Sequence, residues 1–349
     1  MSGQRSRNNQ RRNGKLKYMP PFTIVLIIGF LGVIMFTFIY ALSNTTPKSD
    51  ENETPDNSAV VDSATDEGLS PAEVPASNDN PEEGSSTEQP DDQHEDEQPD
   101  VQSSFIVSKD ITDISTGNLL LVNPDHFYDI PEDINLARIS DIGSSAIRLQ
   151  IESFQLLEPA ILPLDDMMTD FLSETGNRTV TVIAAFRTHA TQRTMQERHG
   201  SRAANPGHSE HHTGLAFDFG IFIGGERSVF TGTGVTAWFQ NNSYRYGFIA
   251  RYPADKTHIT MTEFEPWHYR YVGLPHSHII YENNWAFEEY IEAIKAYSFE
   301  APYRVDIDGA SFDIYFSSDT DIMVPVDVDF DISGNNVDGF IVTVVRDIA

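Results

Sequence analysis

The first strong pattern along the chain is an uncharged, apolar run from Phe22 to Leu42. A helix of that length can cross a bilayer core of about 30 Å, so the sequence predicts a transmembrane helix at residues 22–42. Residues 1–21 are basic, and the chain becomes acidic after the run. This asymmetry predicts a basic cytoplasmic tail at residues 1–21 and an extracytoplasmic location for the rest of the chain. The alternative is a cleaved signal peptide, whose apolar region is typically only about 7–15 residues long.

Residues 43–103 lack hydrophobic periodicity and consist mainly of acidic residues, proline, serine, asparagine and glutamine. Such a segment cannot bury enough apolar surface to offset its ordering entropy, and its like charges keep it extended. We therefore predict a disordered acidic linker that holds a folded part away from the cell membrane. A cation-binding tail is the alternative interpretation of the same charges.

Residues 104–300 combine both hydrophobic periods, which is typical of an α+β domain. Helices are predicted at residues 162–174, 190–200, 235–244 and 285–297. The β-branched run TVTVIAA predicts a buried strand at residues 179–185. A further strand is predicted at residues 214–219, and a pair of strands interrupted by Pro266 is predicted at residues 259–272. The predicted fold class is α+β, with a small antiparallel sheet and flanking helices.

Apolar and polar positions alternate with period two in residues 301–349, which predicts a small C-terminal β appendage. The alternating apolar positions are Val324, Val326, Val328, Phe330 and Ile332, followed by Phe340, Val342 and Val344. Gly334 and Asn335 mark a turn between the two runs. Asp327, Asp329 and Asp331 resemble calcium ligands, but no glycine or terminal glutamate completes a calcium loop, so they are predicted to form a solvent face.

Composition limits the chemistry that is available. The chain has no cysteine, which excludes disulfides, thiolate metal sites and a cysteine nucleophile. Its formal net charge of −30 argues against nucleic acid as a partner. Chemistry must therefore use histidines, carboxylates or hydroxyls. Nothing in the sequence indicates an oligomeric state.

Two short segments combine the side chains that a catalytic zinc site needs: SEHHTGLAFD at Ser209–Asp218 and EPWH at Glu265–His268. A catalytic zinc ion takes about three nitrogen or oxygen ligands and keeps one position open. His211, Asp218 and His268 fill these three places. The sequence therefore predicts one Zn²⁺ bound by these residues.

These motifs resemble those of the VanY-like D-alanyl-D-alanine carboxypeptidases, within the wider group that includes lysostaphin-type enzymes and the hedgehog signalling domain. The pattern S-x-H-x-x-G-x-A-x-D is met in full from Ser209 to Asp218, and E-x-W-H is met from Glu265 to His268. Further similarity lies in AAFRTHATQ, YGFIARYPADK and HYRYVG, and extends over residues 118–297. The ending VDGFIVTV is similar to a C-terminal extension of some relatives.

The resemblance implies a zinc-dependent enzyme that removes the C-terminal D-alanine from peptidoglycan stem peptides outside the membrane. It implies that Glu265 acts as the general base and acid. It places Arg187 at the site as a catalytic cation, which either stabilises the oxyanion or binds the substrate's terminal carboxylate. Ser209, Gln192 and Trp267 are predicted to contact the substrate.

Two positions leave alternatives open. His212 stands where the family commonly has glutamine, beside the predicted ligand His211. If this segment is a strand, the two neighbours face opposite ways, which leaves His212 outside the ligand set. For Arg251, a structural role and a role at the site are equally compatible with the sequence.

Other functions use the same residue pattern. An L,D-carboxypeptidase or a peptidoglycan endopeptidase would carry the same zinc site, and the sequence does not separate them from a D,D-carboxypeptidase. A non-catalytic wall-binding module on a stalk fits the linker, but it has no need of Glu265.

Overall fold

The computed structural model describes residues 103–346 of the chain. The predicted tail at residues 1–21, transmembrane helix at residues 22–42 and acidic linker, save residue 103, lie outside the described residues and stay predictions. In the described part, no helix combines the length and the apolar character needed to span a membrane.

The secondary structure alternates short strands and helices. The strands are β1 Ser104–Ser108, β2 Leu136–Arg138, β3 Gln155–Leu157, β4 Val180–Ala184, β5 Ala216–Ile223, β6 Glu226–Ser228, β7 Phe248–Tyr252, β8 Glu265–Tyr271, β9 Tyr303–Ile307, β10 Ala310–Ser317, β11 Asp321–Pro325, β12 Asp329–Gly334 and β13 Phe340–Arg346. The α-helices are α1 Ile139–Ile142, α2 Glu158–Thr175, α3 His189–His199, α4 Ala237–Asn242, α5 Thr257–Thr260, α6 His276–Glu282 and α7 Phe287–Ile294. Single 3₁₀ turns are Ile111–Ser115, Gly200–Arg202, Glu210–Thr213, Gly234–Thr236, Ser243–Tyr246 and Ala254–Lys256.

The central sheet is antiparallel and has the strand order β4-β5-β8-β7, with the short strand β6 paired to β5. One face of this sheet packs against α2 and α4 in a hydrophobic core that includes Phe171, Phe217, Phe219, Phe239 and Tyr269. Each large apolar side chain buried in this way stabilises the fold by about 1.5–3 kcal/mol. The opposite face therefore remains available for polar side chains.

Helix α2 begins at Glu158, before the start that was predicted at Leu162, because proline is tolerated in the first turn of a helix. Pro159 lies in the first turn, where its missing N–H would have no intrahelical partner. Pro163 lies inside the helix and is buried in the core. The helix ends at Gly176, whose φ of 66° supplies the left-handed conformation common at helix ends.

Several predicted elements match the structure, and others do not. The strand at residues 179–185 is confirmed as β4, and the helix at residues 190–200 is confirmed as α3, which is capped by Gly200. The strand predicted at residues 214–219 starts later and extends to Ile223. The strand pair predicted at residues 259–272 is wrong, since α5 and a loop come first and the single strand β8 then runs through Pro266.

The C-terminal residues form a second antiparallel sheet with the order β12-β13-β10-β9. The prediction that the alternating positions from Val324 to Ile332 form one continuous strand is wrong. The segment is divided between β11 and β12 by a turn in which Asp327 has a φ of 59°. Strand β11 pairs instead with β1, from Ser104 opposite Pro325 to Ser108 opposite Asp321.

The C-terminal sheet shares a hydrophobic core with helices α6 and α7. Buried residues of this core are Leu119, Ile249, Ile279, Phe287, Ile291, Ile314 and Ile341. Polar contacts reinforce the junction: the backbone N–H of Leu119 donates to Ser333 Oγ at 2.9 Å, and Thr343 Oγ1 lies 3.0 Å from His276 Nε2. Residues 103–346 thus fold as one compact unit, and the β appendage is packed into it.

Candidate metal centre and active site

The three predicted ligands converge on the polar face of the central sheet. Asp218 on β5 and His268 on β8 are direct partners across the strand pair, which brings their side chains to the same face. His211 lies in the 3₁₀ turn Glu210–Thr213 that leads into β5. Gly214 ends this turn with a φ of 70°, and a Cβ at that position would come within 2.8 Å of a Leu136 methyl group.

Donor atoms of these three residues lie close enough to share one metal ion. His268 Nδ1 is 3.0 Å from Asp218 Oδ1, and His211 Nε2 is 3.3 Å from Asp218 Oδ2. One donor atom from each residue lies within 4.8 Å of the others, and all three residues are buried. Donors bound at about 2.0–2.2 Å to a tetrahedral zinc ion lie roughly 3–3.5 Å apart, so the donor set fits zinc.

Hydrogen bonds on the far side of each imidazole fix which nitrogen faces the centre. His211 Nδ1 lies 2.8 Å from the carbonyl oxygen of Ala185, and His268 Nε2 lies 3.1 Å from Glu210 Oε2. Because both partners are acceptors, each of these nitrogens carries the proton. The lone pairs of His211 Nε2 and His268 Nδ1 then point towards Asp218, as a metal site requires.

The pKa values of the two histidines move in opposite directions. Burial lowers the pKa of His211 to about 4. Burial also acts to lower the pKa of His268, but hydrogen bonds to Asp218 and Glu210 outweigh it and raise this pKa to about 9. The two carboxylates thus favour a positive charge at His268, whether a proton or a metal ion carries it.

Glu265 lies beside the three residues but outside the cluster that they form. Its Oε2 is 3.9 Å from His268 Nδ1, and its side chain is 24% exposed. Burial raises the pKa of Glu265 to about 7. A carboxyl group in this range can accept and return a proton near neutral pH.

Arg187 and Gln192 line the other side of the centre. Arg187 Nη2 donates to Asp218 Oδ2 at 2.9 Å, and its Nη1 lies 3.4 Å from Gln192 Oε1. Gln192 in turn donates from Nε2 to the carbonyl oxygen of Ala204 at 2.9 Å. The amide of Gln192 therefore holds the guanidinium of Arg187 in place, and its predicted contact with the substrate stays a prediction.

Glu210 is a residue of the site that the sequence analysis missed. It is 1% exposed, and it accepts hydrogen bonds from Arg251 Nε at 2.7 Å and Arg270 Nη1 at 3.1 Å in addition to its contact with His268. Burial acts to raise the pKa of Glu210, but the charges of Arg251 and Arg270 outweigh it and hold the pKa below its usual range. Its position between Ser209 and His211 in the motif was the only signal in the sequence.

Arg251 has a structural role next to the site. Its guanidinium donates to Glu210 and also to both carboxylate oxygens of Glu288, at 3.0 and 2.7 Å. Arg270 donates to Glu210 and to the carbonyl oxygens of Asn118 and Leu120. A buried ionic network therefore runs from Glu288 through Arg251 and Glu210 to His268.

His211 and His212 both lie in a 3₁₀ turn, so the strand considered for this segment is wrong. His212 is fully buried and faces away from the centre. Its Nδ1 lies 2.7 Å from the carbonyl oxygen of Arg187, and its Nε2 accepts from the backbone N–H of Gly207 at 3.0 Å. His212 thus fixes the backbone that carries Arg187.

Trp267 and Ser209, both predicted to contact the substrate, occupy different positions relative to the metal centre. Trp267 alternates with His268 along β8, packs against the hydrophobic core and borders a cavity with Phe219 and Phe230 on that face. The structure therefore does not bring Trp267 to the face that carries the three ligands. Ser209 is buried directly ahead of the 3₁₀ turn that carries His211.

The chain is similar to known D-alanyl-D-alanine carboxypeptidases. Residues 156–274 match the family model VanY, described as D-alanyl-D-alanine carboxypeptidase. A D-alanyl-D-alanine carboxypeptidase of Enterococcus faecium is 35% identical over 253 residues, which cover 68% of this chain and 78% of the relative. A bifunctional D-Ala-D-Ala dipeptidase and carboxypeptidase of Enterococcus gallinarum is 45% identical over 91 residues, which cover 25% of this chain and 48% of the relative.

The fold is similar to that of a crystallised vancomycin resistance D,D-dipeptidase, VanXYg, in complex with a D-Ala-D-Ala phosphinate analogue. The TM-score is 0.62 at 30% identity, and the match covers 70% of this chain and all of the other. The chain belongs to the VanY family of D-alanyl-D-alanine carboxypeptidases.

Proposed function

We propose that this protein is a zinc-dependent D-alanyl-D-alanine carboxypeptidase that hydrolyses the terminal D-alanine of peptidoglycan stem peptides. The observation that carries the proposal is the placement of Glu265 beside a buried cluster of His211, Asp218 and His268. The Enterococcus faecium carboxypeptidase, which the chain matches over most of its length, supports the same substrate class.

In the proposed reaction, His211, Asp218 and His268 hold one zinc ion. When bound, zinc supplies Lewis acidity, which activates a water molecule and polarises a substrate carbonyl. Glu265 takes a proton from the attacking water at its carboxylate and delivers it to the departing amine of D-alanine. The ring orientations set by Ala185 and Glu210 keep both histidine lone pairs directed at the centre.

Arg187 serves the reaction through its guanidinium, which lies at the edge of the centre against Asp218. It can stabilise negative charge that develops on the carbonyl oxygen, or it can bind the carboxylate of the terminal D-alanine. The two roles predict different kinetic effects: loss of carboxylate binding raises KM, and loss of oxyanion stabilisation lowers kcat.

Arg187→Lys separates the two roles. Lysine keeps the positive charge but loses the planar fork that binds a carboxylate through two parallel hydrogen bonds. If Arg187 binds the terminal carboxylate, KM on a peptide ending in D-Ala-D-Ala rises by about tenfold or more with a smaller change in kcat. If it stabilises the oxyanion, kcat falls instead. Normal values of both constants would show that Arg187 has neither role in the reaction.

Purified full-length protein with zinc tests the proposed function directly when it is given, in separate assays, a synthetic pentapeptide, the corresponding tetrapeptide, a cross-linked peptide and cell wall. We expect release of one D-alanine from the pentapeptide, identified by mass. Release from the tetrapeptide alone would identify an L,D-carboxypeptidase, and cleavage within a cross-linked peptide would identify an endopeptidase. Binding to cell wall without any cleavage would identify the non-catalytic module.

A further inference from the structure

A groove of about 520 Å³ opens at one end of the central sheet, away from the metal centre. It lies between residues 148–150 and the hairpin that joins β5 to β6. Residues 148–150 run beside β4, where Leu149 bridges to Val182. Apolar and polar side chains both line it, and the polar ones are Arg148, Gln150, Arg178, Thr179 and Thr181.

This groove lies on the same sheet face as the metal centre. Side chains alternate between the two faces along β4 and β5. Val182 and Phe219 point into the hydrophobic core, so Thr181, Gly220 and Asp218 lie on the opposite face. A peptide bound on this face can therefore reach both places.

The distance between the two places suits a short peptide. From Asp218 to Phe222, strand β5 advances by four residues, or about 13 Å at roughly 3.3 Å per residue. Arg187 follows the opposite end of β4, on the far side of Asp218 from the groove. A substrate whose terminal residue lies near Arg187 would then extend its upstream residues towards the groove.

The groove carries hydrogen-bond donors that the protein itself does not use. Within residues 103–346, the exposed guanidiniums of Arg148 and Arg178 make no ion pair or hydrogen bond. The hydroxyl of Thr181, a residue only 5% exposed, is buried without a partner. By contrast, Arg187 and Arg251 near the metal centre each bind a carboxylate of the chain.

We propose that the groove binds the upstream part of the substrate, and that Arg148 and Arg178 bind a free carboxylate of the stem peptide. This inference rests on the proposed function. In a stem peptide, D-glutamate is linked through its γ-carboxyl group, which leaves its α-carboxylate free. That glutamate lies two residues upstream of the one that carries the scissile carbonyl, and its γ-linkage adds about one further residue length. The carboxylate is therefore roughly 10–11 Å from the scissile carbonyl along an extended chain, within reach of the two arginine side chains. A planar guanidinium is suited to binding a carboxylate in this position.

Three peptides that end in D-Ala-D-Ala test the inference on the full-length protein. The first carries D-glutamate with its free α-carboxylate, the second carries the α-carboxamide at that position, and the third is a diacetylated lysyl tripeptide without glutamate. The wild-type protein is expected to have a KM about fivefold to thirtyfold lower for the first peptide than for the second, the range expected when two exposed guanidiniums, each worth up to about fivefold, bind one carboxylate together.

The double variant Arg148→Gln/Arg178→Gln is expected to lose this preference. Its KM for the first peptide rises fivefold to thirtyfold, while values for the second and third peptides change less than twofold. Thr181→Val, which removes the hydroxyl and keeps the shape, is expected to raise the first KM by about twofold to fivefold. Arg198→Gln, an exposed position in the last turn of α3, is the matched control and leaves all three values unchanged.

Two outcomes would overturn the inference and leave the proposed function intact. One is an unchanged KM of the double variant for the free-carboxylate peptide, and the other is an equal rise for all three peptides. If the wild-type protein cleaves none of the peptides, the proposed function itself is wrong, and the inference is wrong with it.

Discussion

Replacing Glu265 by glutamine is expected to lower kcat on a D-Ala-D-Ala peptide by about 10²–10⁴ while zinc content and thermal stability stay unchanged. Glutamine preserves the shape of the side chain but cannot accept the proton of the attacking water. The side chain lies outside the three-residue cluster and is partly exposed, so the substitution leaves the metal ligands and the core intact.

Kinetics and metal analysis of the same preparation check this result, with Glu263→Gln as the matched control. Glu263 is an exposed carboxylate in the loop just before β8, and its neutral variant should have wild-type constants. A Glu265→Gln protein with near-normal turnover would contradict the proposed mechanism. A group other than Glu265 would then have to act as the general base.

Replacing Glu210 by glutamine is expected to lower zinc affinity by about 10–100-fold, the usual effect of losing an outer-shell partner. Glu210 uses one oxygen for Arg251 and Arg270 and the other for His268. A glutamine has one acceptor oxygen and one NH₂ donor. Its NH₂ group must therefore face either His268 or the two arginines, all of which are donors to Glu210. The free energy of unfolding should also fall by about 3–5 kcal/mol, because a buried positive charge loses its partner.

Glu288→Gln distinguishes an effect on the metal from an effect on folding. Glu288 also binds Arg251 through both oxygens, but its side chain is 13% exposed and it does not contact His268. This variant should lose stability without a change in zinc affinity. Chelator competition measures the affinity, and denaturant unfolding of metal-free protein measures stability without the contribution of bound ligand. Equal losses of zinc affinity in both variants would rule out an orienting role for Glu210.

The clustering of His211, Asp218 and His268 was predictable because its sequence signal is local. His211 and Asp218 lie in one short segment, and the motif around His268 is shorter still. The roles of the neighbouring charges were not predictable, since Glu210 meets Arg251 and Arg270 only through strands 41 and 60 residues away in the chain. Hydrophobic periodicity carries no information about such buried ion pairs.

The C-terminal region illustrates a second limit of sequence patterns. Alternation correctly indicated strands, but the same alternation continued through the turn between β11 and β12, where Asp327 has a positive φ. It also gave no sign that Ile314 and Ile341 would pack with Phe287 on helix α7. Side-chain period identifies which face of a strand is buried, but it does not identify the element that covers that face.

The pairing of β1 with β11 determines where mechanical load enters the folded part. Residue 103 is the last residue of the predicted linker. If the helix predicted at residues 22–42 anchors the chain in the membrane, a pull from that side first reaches Ser104 and the backbone hydrogen bonds that join β1 to Pro325 and its neighbours. None of the three metal ligands belongs to either strand. With such an anchor, tension between the membrane and the cell wall would strain this strand pair first, and the spacing of the three clustered residues would be insulated from it.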